Sequence, residues 1–249
     1  VRGAAGVHAT AAAEIPEILE YAPDARVFAV RNSLDAEEIE ATPPSPAFWS
    51  DRHAVAPGVR VFAFLGRLDP YQKGLDLLLD AWDDVVTPDT PAVLALIGTP
   101  WRDTYDDLTG RIGALAAPGS VLLTGALYGQ EKYQALAAAD VYVQTSRYET
   151  SPYSIQEALA SGLPAIVTPG TNFDRVVAEY GAGYAVDFSH ASIADALRAA
   201  LAASPEDLHT MATQARRLVH ERHSLRRAAA RMVDAYAAAL AGTPFENDD

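Results

Sequence analysis

The chain has 249 residues and a formal net charge of −14, and hydrophobic residues make up 49% of it. This length fits one large domain, or one domain plus part of another, and the apolar content excludes a disordered or fibrous protein. The acidic balance argues against a nucleic-acid partner, which would require a concentrated positive surface. Because the chain has no cysteine, disulfides, thiolate metal sites and cysteine nucleophiles are excluded.

The first 45 residues predict a short strand–helix–strand pattern, followed by a proline cluster from Thr42 to Pro46 that is typical of a linker or surface loop. Residue 1 is a valine, and no basic segment followed by an apolar one opens the chain, so we expect a piece of a longer protein without a signal peptide. No apolar run approaches the roughly 18 residues of a membrane span. Residues 1–45 are therefore interpreted as the end of an amino-terminal domain with its linker.

From residue 59 onward, short apolar runs alternate with segments of helical period, which indicates parallel βαβ units. The predicted strands are residues 59–65, 92–97, 121–124, 141–144, 165–168 and 184–186. The predicted helices are residues 75–86, 105–116, 130–139, 154–161 and 172–180, then 192–203, 205–221 and 225–240. The fold class is therefore α/β, with a doubly wound, mostly parallel, six-stranded Rossmann-like sheet in residues 46–240 and carboxyl-terminal helices. Residues 241–249 are expected to form a flexible acidic tail.

Such a sheet binds ligands in the loops that follow the carboxyl ends of its strands. The segment Gly66 to Gly74 follows the first strand of this sheet and contains Arg67 and Lys73. An arginine fork and a lysine charge at a strand end are what a diphosphate requires, and Gly66 permits close backbone approach. For this segment alone, two solvated surface charges are the better interpretation. Lys73 and Lys132 are the only lysines, beside seventeen arginines.

A second informative segment runs from Ser146 to a helix that is expected to begin near Ser154. The free amide groups of a helix's first turn favour an anion such as a phosphate. Glu149 and Glu157 flank this helix start, and their carboxylates are suited to accept hydrogen bonds from sugar hydroxyls. Taken alone, Ser154 and Glu157 fit a capping box better, and Glu149 would be a solvated loop charge.

Together, the segments resemble the carboxyl-terminal, donor-binding domain of family 4 (group 1) glycosyltransferases, which is one half of the GT-B fold. The resemblance covers roughly residues 27–240, and residues 31–35 resemble the family's crossover between its two domains. The residues that carry the resemblance occur in the family's order: Gly66-Arg67, Lys73-Gly74, Glu149, Glu157-Ala158 and Ser161-Gly162-Leu163-Pro164.

The resemblance implies a role for each matching residue. Arg67 and Lys73 would hold the donor diphosphate and neutralise the leaving group. Glu149 would contact the donor sugar, and Glu157 would bind the ribose hydroxyls. Three residues at the helix start would cradle phosphate or sugar through their backbone: Tyr153, Ser154 and Ile155.

In this family, the base of the donor nucleotide contacts the loop that here contains Leu127 and Tyr128. Tyr128 could stack on the base, but a half-buried loop aromatic is at least as well supported. UDP- or GDP-sugar is expected rather than ADP-sugar, and no cofactor or metal ion is required.

The reaction implied is transfer of a glycosyl group, with retention, from a nucleoside-diphosphate sugar to an acceptor hydroxyl. A glycan, lipid or small-molecule acceptor would bind through the missing amino-terminal domain, so this chain alone is expected to be inactive in transfer. The closing helix should expose an apolar face that could pair two copies as a homodimer. A cytoplasmic enzyme is implied, peripheral to the membrane in its full-length form.

Some residues depart from the family pattern. Thr150-Ser151-Pro152 replaces a glycine-rich stretch, and a proline has no amide proton to donate to a phosphate. Asn172 lies at a position near the donor site where the family commonly has a glycine. The alternative role for Asn172 is to cap the following helix. His220 and His223 are expected on a solvated helix face.

Two other functions compete with glycosyl transfer. A non-catalytic nucleotide-sugar-binding or interaction module remains an alternative. A dinucleotide oxidoreductase is disfavoured because no Gly-x-Gly-x-x-Gly follows the first strand.

Overall fold

The computed structural model describes residues 3–247. Its strands are β1 (Val7–Ala9), β2 (Val27–Ala29), β3 (Arg60–Leu65), β4 (Ala92–Ile97), β5 (Val121–Gly125), β6 (Val141–Gln144), β7 (Ala165–Val167) and β8 (Gly183–Ala185). Its α-helices are α1 (Ile15–Tyr21), α2 (Ala36–Glu40), α3 (Phe48–His53), α4 (Leu75–Asp83), α5 (Tyr105–Gly113), α6 (Gly129–Ala137), α7 (Tyr153–Ala160), α8 (Asp174–Tyr180), α9 (His190–Ala202), α10 (Pro205–Arg222) and α11 (Leu225–Ala241). Three short 3-10 helices cover Ala12–Glu14, Pro118–Ser120 and Pro169–Thr171.

The strands form two parallel sheets. β1 pairs with β2, and the other six strands form one sheet in the order β5-β4-β3-β6-β7-β8. The predicted α/β class with a six-stranded doubly wound sheet is confirmed. The chain builds outward from β3 to β5 in one direction, then returns to β6 and builds outward to β8 in the other. The topological switch point therefore lies between β3 and β6, where such sheets bind ligands.

Both faces of the large sheet are covered by helices, which explains its continuous apolar strands. Val61, Ala63 and Leu65 of β3 face a core formed with α2, α3, α6, α7, α8 and α10. Phe62 and Phe64, the alternate residues, face a second core formed with α4, α5 and α9. The two-residue period of a strand thus divides one hydrophobic run between two cores.

The sequence did not predict α2 and α3, which lie on either side of the proline cluster. Ile39, Phe48 and Trp49 are buried in the first core of the large sheet. The indole Nε1 of Trp49 donates to the carbonyl of Ala135 in α6, at 3.1 Å. Residues on both sides of Thr42–Pro46 therefore pack with the large domain, so the cluster joins two short helices and does not separate two cores.

The closing helix α11 lies against the small β1–β2 sheet. Ala235 is fully buried with Phe28 of β2, whereas Val233, Tyr236 and Leu240 are exposed.

Part of the segment expected to be a flexible tail is docked on the same sheet. Phe245 packs against the cluster that contains Phe28, and Asn247 Oδ1 accepts a hydrogen bond from the Ala29 amide at 2.7 Å. Glu246 and Asn247 therefore lie against the protein, while Asp248 and Asp249 fall outside the described residues. Within residues 3–247, no helix combines the length and apolar character that a bilayer crossing requires.

Candidate functional site

The two loops at the switch point are joined by an ion pair. Lys73 follows β3, Glu149 follows β6, and the Lys73 Nζ lies 2.5 Å from Glu149 Oε1. Their side chains are only 12% and 10% exposed, so neither is a solvated surface charge. The sequence-based preference for solvated charges in each segment alone is wrong for these two residues.

Glu149 Oε1 receives two further hydrogen bonds, from the amide nitrogen of Gln144 at 2.9 Å and from the hydroxyl of Ser146 at 2.7 Å. Gln144 is fully buried, and its Oε1 accepts from the hydroxyls of Tyr142 at 2.6 Å and Ser154 at 3.0 Å. These acceptor contacts fix the orientation of the amide, so its NH₂ group must face Glu149. One carboxylate oxygen of Glu149 is thus held by three donors.

A second lysine–glutamate pair lies in the neighbouring loops. Lys132 of α6 has its Nζ 2.6 Å from Oε1 of Glu157 in α7, and the side chains are 18% and 15% exposed. Both lysines of the chain therefore pair with the two glutamates of the motif. Lys132 was not among the predicted site residues. Its rarity as one of two lysines was the only signal that could have identified it.

The start of α7 differs from the predicted capping box. The N-cap is Pro152, no side chain caps the helix, and Ser154 donates to Gln144 instead. Glu157 is held by Lys132, so the capping-box interpretation of Ser154 and Glu157 is wrong. The amides of Tyr153, Ser154 and Ile155 occupy the first turn, whose orphan N–H groups and dipole favour an anion.

Arg67 has a different environment from Lys73. It is exposed, its guanidinium carbon lies 4.0 Å from the centre of the Trp101 ring, and it donates to Gln72 Oε1 at 2.9 Å. A cation over an indole face is held by electrostatic attraction while remaining open to solvent. The two predicted diphosphate-binding cations thus have separate partners at the same loop.

A partly buried ion pair joins the first turn of α4, which follows the loop after β3, to the loop after β6. Arg147 makes two 2.8 Å contacts with the carboxylate of Asp76, and its guanidinium lies over the rings of Tyr71 and Phe188. Burial would raise the pKa of Asp76, but the hydrogen bonds from Arg147 and from the Leu77 amide outweigh it and lower that pKa. The hydrogen bonds that Arg147 donates to Asp76 in turn raise the pKa of Arg147.

The close approach of these loops depends on Gly74. It has φ +63°, and a Cβ at this position would collide with the carbonyl oxygen of Thr145. The Thr145 hydroxyl donates to the carbonyl of Gly74 at 3.0 Å, so the two segments are in direct backbone contact. Only glycine combines this left-handed conformation with this proximity.

Asn172 does not cap α8, whose N-cap is Phe173. Asn172 adopts φ +59° and donates through its amide to the carbonyls of Glu149, at 2.7 Å, and Thr150, at 3.0 Å. Asn32 donates to the carbonyl of Ser151 at 3.1 Å. These two amides hold the loop that replaces the family's glycine-rich stretch, so the capping alternative for Asn172 is wrong.

The loop that is expected to contact the base of the donor nucleotide lies at the edge of the site. Tyr128 is 77% exposed and is the N-cap residue of α6, one turn before Lys132. It is thus more open than the half-buried aromatic that was the alternative. Leu127 is partly buried against the first core.

His223 is not part of a solvated face. Its side chain is buried and stacks on Phe173 with a 5.0 Å separation of ring centres. Burial, reinforced by the charge of Arg31, lowers its pKa to about 4. His220 lies 2.9 Å from a carboxylate oxygen of Glu40. Within the described part of the chain, no cluster of three or more histidine, aspartate or glutamate side chains could hold a metal ion.

The fold and site define a class of protein. Residues 47–218, more than half of the chain, match the family described as glycosyl transferases group 1. The chain therefore belongs to the group 1 glycosyltransferases.

Individual members of the family show similarity over parts of the chain. A GDP-mannose-dependent α-mannosyltransferase of Mycobacterium tuberculosis (strain CDC 1551 / Oshkosh) is 35% identical over 109 residues, which are 44% of this chain and 25% of that protein. A phosphatidyl-myo-inositol mannosyltransferase of the same strain is 32% identical over 144 residues, 55% of this chain and 37% of that protein. The chain thus spans well under half of the length of these relatives.

Solved structures show the same fold. Anabaena Alr3699/HepE in complex with UDP-glucose superposes with a TM-score of 0.79 at 20% identity, covering 95% of this chain and 65% of that one. The carboxyl-terminal domain of a group 1 family glycosyl transferase (LpcC) from Francisella tularensis superposes with a TM-score of 0.65 at 20% identity, covering 77% of this chain and 99% of that one.

Proposed function

We propose that this chain is the donor-binding domain of a retaining glycosyltransferase, which binds a nucleoside-diphosphate sugar at the switch point between β3 and β6. The observation that carries the proposal is the pairing of both lysines with both motif glutamates, at 2.5 and 2.6 Å, in adjoining loops at the carboxyl edge of the sheet. A partly buried charge pair costs desolvation, so its presence at the edge of the sheet where such folds bind ligands favours a functional role.

Each group in the site has a chemical task in this proposal. The amides at the start of α7 and the side chains of Arg67 and Lys73 bind the diphosphate and stabilise the charge that develops on it as it leaves. Glu149 accepts hydrogen bonds from the sugar hydroxyls. Glu157 accepts hydrogen bonds from the ribose hydroxyls, and the base lies beside Tyr128 and Leu127. Catalysis then consists of positioning and electrostatic stabilisation.

The nucleotide is expected to be UDP or GDP. One similar structure contains UDP-glucose, whereas one relative is named as GDP-mannose-dependent. The proposal assigns the neutralisation of the diphosphate charge to Arg67 and Lys73.

The first test is calorimetric titration of the chain with UDP, GDP and ADP. We expect UDP or GDP to bind, and Lys73→Met to weaken that binding by roughly tenfold or more, because a charge-assisted contact is worth about 1.5–3 kcal/mol. Arg198→Gln, a charge change at an exposed position of α9, is the matched control. Absence of binding by all three nucleotides at millimolar concentration, or equal binding by the Lys73 variant, would count against the proposal.

One observation favours a second candidate function. Pro152 is the N-cap residue of α7 and has no amide proton, so one donor expected at the donor phosphates or sugar is missing. A non-catalytic nucleotide-sugar-binding module would retain nucleotide binding in the longer protein without transfer or donor hydrolysis. An assay of donor hydrolysis by the longer protein separates the two functions.

The exposed face of α11, formed by Val233, Tyr236 and Leu240, is proposed to contact the acceptor-binding domain or a second copy of the chain. Sedimentation of the chain at two concentrations distinguishes these partners, because pairing of copies makes the apparent mass depend on concentration. We also propose that the longer protein binds the acceptor and is located in the cytoplasm, peripheral to the membrane.

A further inference from the structure

The loop that follows β4 carries Trp101 and is bonded to the loop that follows β3. The Leu68 amide donates to the Thr99 carbonyl at 2.8 Å, and the Trp101 amide donates to the Leu68 carbonyl at 3.2 Å. The hydroxyl of Thr104 donates to the same carbonyl at 3.2 Å. Leu68 itself is buried in the second core of the large sheet. The backbone at Trp101 is therefore fixed relative to the segment that contains Arg67.

The residue after Trp101 has a costly backbone conformation. Arg102 adopts φ +52°, in the left-handed region that residues with a Cβ rarely occupy. Such conformations persist only where the surrounding contacts determine them, and they cluster at binding and catalytic sites. The guanidinium carbon of Arg102 lies 5.1 Å from the centre of the Trp101 ring. The shape of this loop thus places the indole among cations at the carboxyl edge of the sheet.

Trp101 holds Arg67 in a way that preserves the charge of its guanidinium. The guanidinium carbon lies 4.0 Å from the ring centre, and Nη2 donates to Gln72 Oε1 at 2.9 Å. Within residues 3–247, this guanidinium makes no ion pair and donates no second hydrogen bond. Stacking uses the face of the guanidinium, whereas its N–H donors lie along its edge. The remaining donors are therefore available to an anionic ligand.

Other cations of the same loops have carboxylate partners. Arg147 also stacks on aromatic rings, but its charge is paired with that of Asp76. The Nζ of Lys73 lies 2.5 Å from the carboxylate of Glu149. Arg67 differs from both, because an aromatic ring and a neutral amide hold it in place without cancelling its charge.

We infer that Trp101 is a positioning residue that holds the Arg67 guanidinium ready for the donor diphosphate. Ordering a flexible arginine before the ligand arrives removes part of the entropy cost of binding. The ring acts through Arg67, so it need not touch the nucleotide. The inference rests on the proposed function, because it assumes that Arg67 binds the diphosphate.

The test is a double-variant cycle, measured by calorimetric titration with whichever of UDP and GDP binds the parent chain. Trp101→Leu should weaken binding roughly two- to fivefold, as loss of a cation–aromatic contact at an exposed site implies. Trp101→Phe keeps an aromatic face and should retain most of the affinity. In an Arg67→Met background, Trp101→Leu should have no further effect, because the group that the ring positions is absent. Tyr105→Leu, which removes an exposed ring from the first turn of α5, is the matched control and should bind as the parent does.

A measurement without nucleotide reports the contact itself. The Nε–H signal of Arg67 in ¹H–¹⁵N spectra is assigned by its absence from Arg67→Met. Spectra are recorded at mildly acidic pH, where this proton exchanges slowly with water. The signal should carry a ring-current shift in the parent chain and lose it in Trp101→Leu.

Two outcomes overturn the inference alone. The first is a weaker nucleotide affinity of Arg67→Met combined with parent-like binding by Trp101→Leu, or with the same fold loss from Trp101→Leu in both backgrounds. The second is an Arg67 signal that is the same in the parent and in Trp101→Leu. Absence of nucleotide binding by the parent, or equal binding by the parent and Arg67→Met, instead contradicts the proposed role of Arg67 and the inference with it.

Discussion

At the scale of single residues, the site depends on how Glu149 is held. Three donors converge on its Oε1, from Lys73, Gln144 and Ser146. A carboxylate whose one oxygen is fully engaged can offer the other to a sugar hydroxyl in a fixed orientation. Burial of the Tyr142 hydroxyl, which raises its pKa well above the usual value for tyrosine, keeps it a proton donor to Gln144.

The first prediction concerns Gln144. Gln144→Met keeps the volume of the side chain but removes the amide donor to Glu149, so binding of the nucleotide sugar should weaken by roughly tenfold while binding of the nucleoside diphosphate changes little. Calorimetric titration with both ligands measures the difference. Gln134→Met, at an amide of α6 that donates to the Pro43 carbonyl, is the control. An equal loss for both ligands would mean that Gln144 acts only through the fold.

Sequence patterns predicted Arg67, Lys73, Glu149 and Glu157 as site residues because the family's motif spacing is visible along the chain. They did not identify Lys132, Gln144, Arg147 or Trp101. The roles of those four depend on which strands are neighbours in the sheet, and sequence separation gives no information about that. The capping-box alternative for Ser154 was wrong because a capping box and a strand-end hydrogen bond use the same residue type.

At the scale of elements, the prediction for Gly74 tests the contact between the loop after β3 and the end of β6. Gly74→Ala places a Cβ against the Thr145 carbonyl in a left-handed conformation, and the strained backbone alone costs on the order of 1–3 kcal/mol. Urea unfolding should show a stability loss of at least this size, together with weaker nucleotide binding. Gly110→Ala in α5, where an added Cβ meets no neighbour within 4 Å, should be neutral or stabilising. Equal stability of both variants would contradict the packing described here.

We predict that His223, at the junction of α10 and α11, makes the stability of the folded protein fall at acid pH. His223 has a pKa of about 4 in the folded protein and 6.5 as an unperturbed histidine, so the unfolded chain binds the proton first as the pH falls. The contribution of neutral His223 to the free energy of unfolding is constant above pH 6.5 and is lost as the pH falls from about 6.5 to 4. The total loss has a limit on the order of 3 kcal/mol.

Urea unfolding at pH 7 and pH 5 measures this dependence. The difference in stability between the two pH values should be smaller for His223→Gln than for the parent chain. His209→Gln, at an exposed position of α10, is the matched control. The same pH dependence in the parent and in His223→Gln would show that His223 is not the group responsible.

The elements themselves were largely predictable. Each strand predicted from residue 59 onward overlaps an observed one, since buried parallel strands are continuous apolar runs between helical segments. The short helices α2 and α3 were not predictable by period, because five or six residues give too little of a helical repeat and a proline cluster separates them. The docking of Phe245 and Asn247 was missed because it depends on a strand edge more than 200 residues away in sequence.

At the scale of the whole molecule, the chain carries the six-stranded sheet with its switch point and the small β1–β2 sheet, against which α11 packs. The Leu34 amide donates a hydrogen bond to the His223 carbonyl at 3.1 Å, and the Asn32 side chain donates one to the loop that contains Glu149. Residues 31–35 are therefore bonded both to the junction of α10 with α11 and to the loop after β6. Movement of the small sheet relative to the large one is therefore expected to alter the position of the loop that contains Glu149.

The most direct test of the donor site is a ¹H–¹⁵N NMR titration of the chain with the nucleotide that binds in calorimetry. We predict the largest shifts at the amides of Tyr153, Ser154 and Ile155, with further shifts at Gly66 and Lys73. Shifts confined to α10 and α11, with the first turn of α7 unchanged, would contradict a donor site at the switch point between β3 and β6.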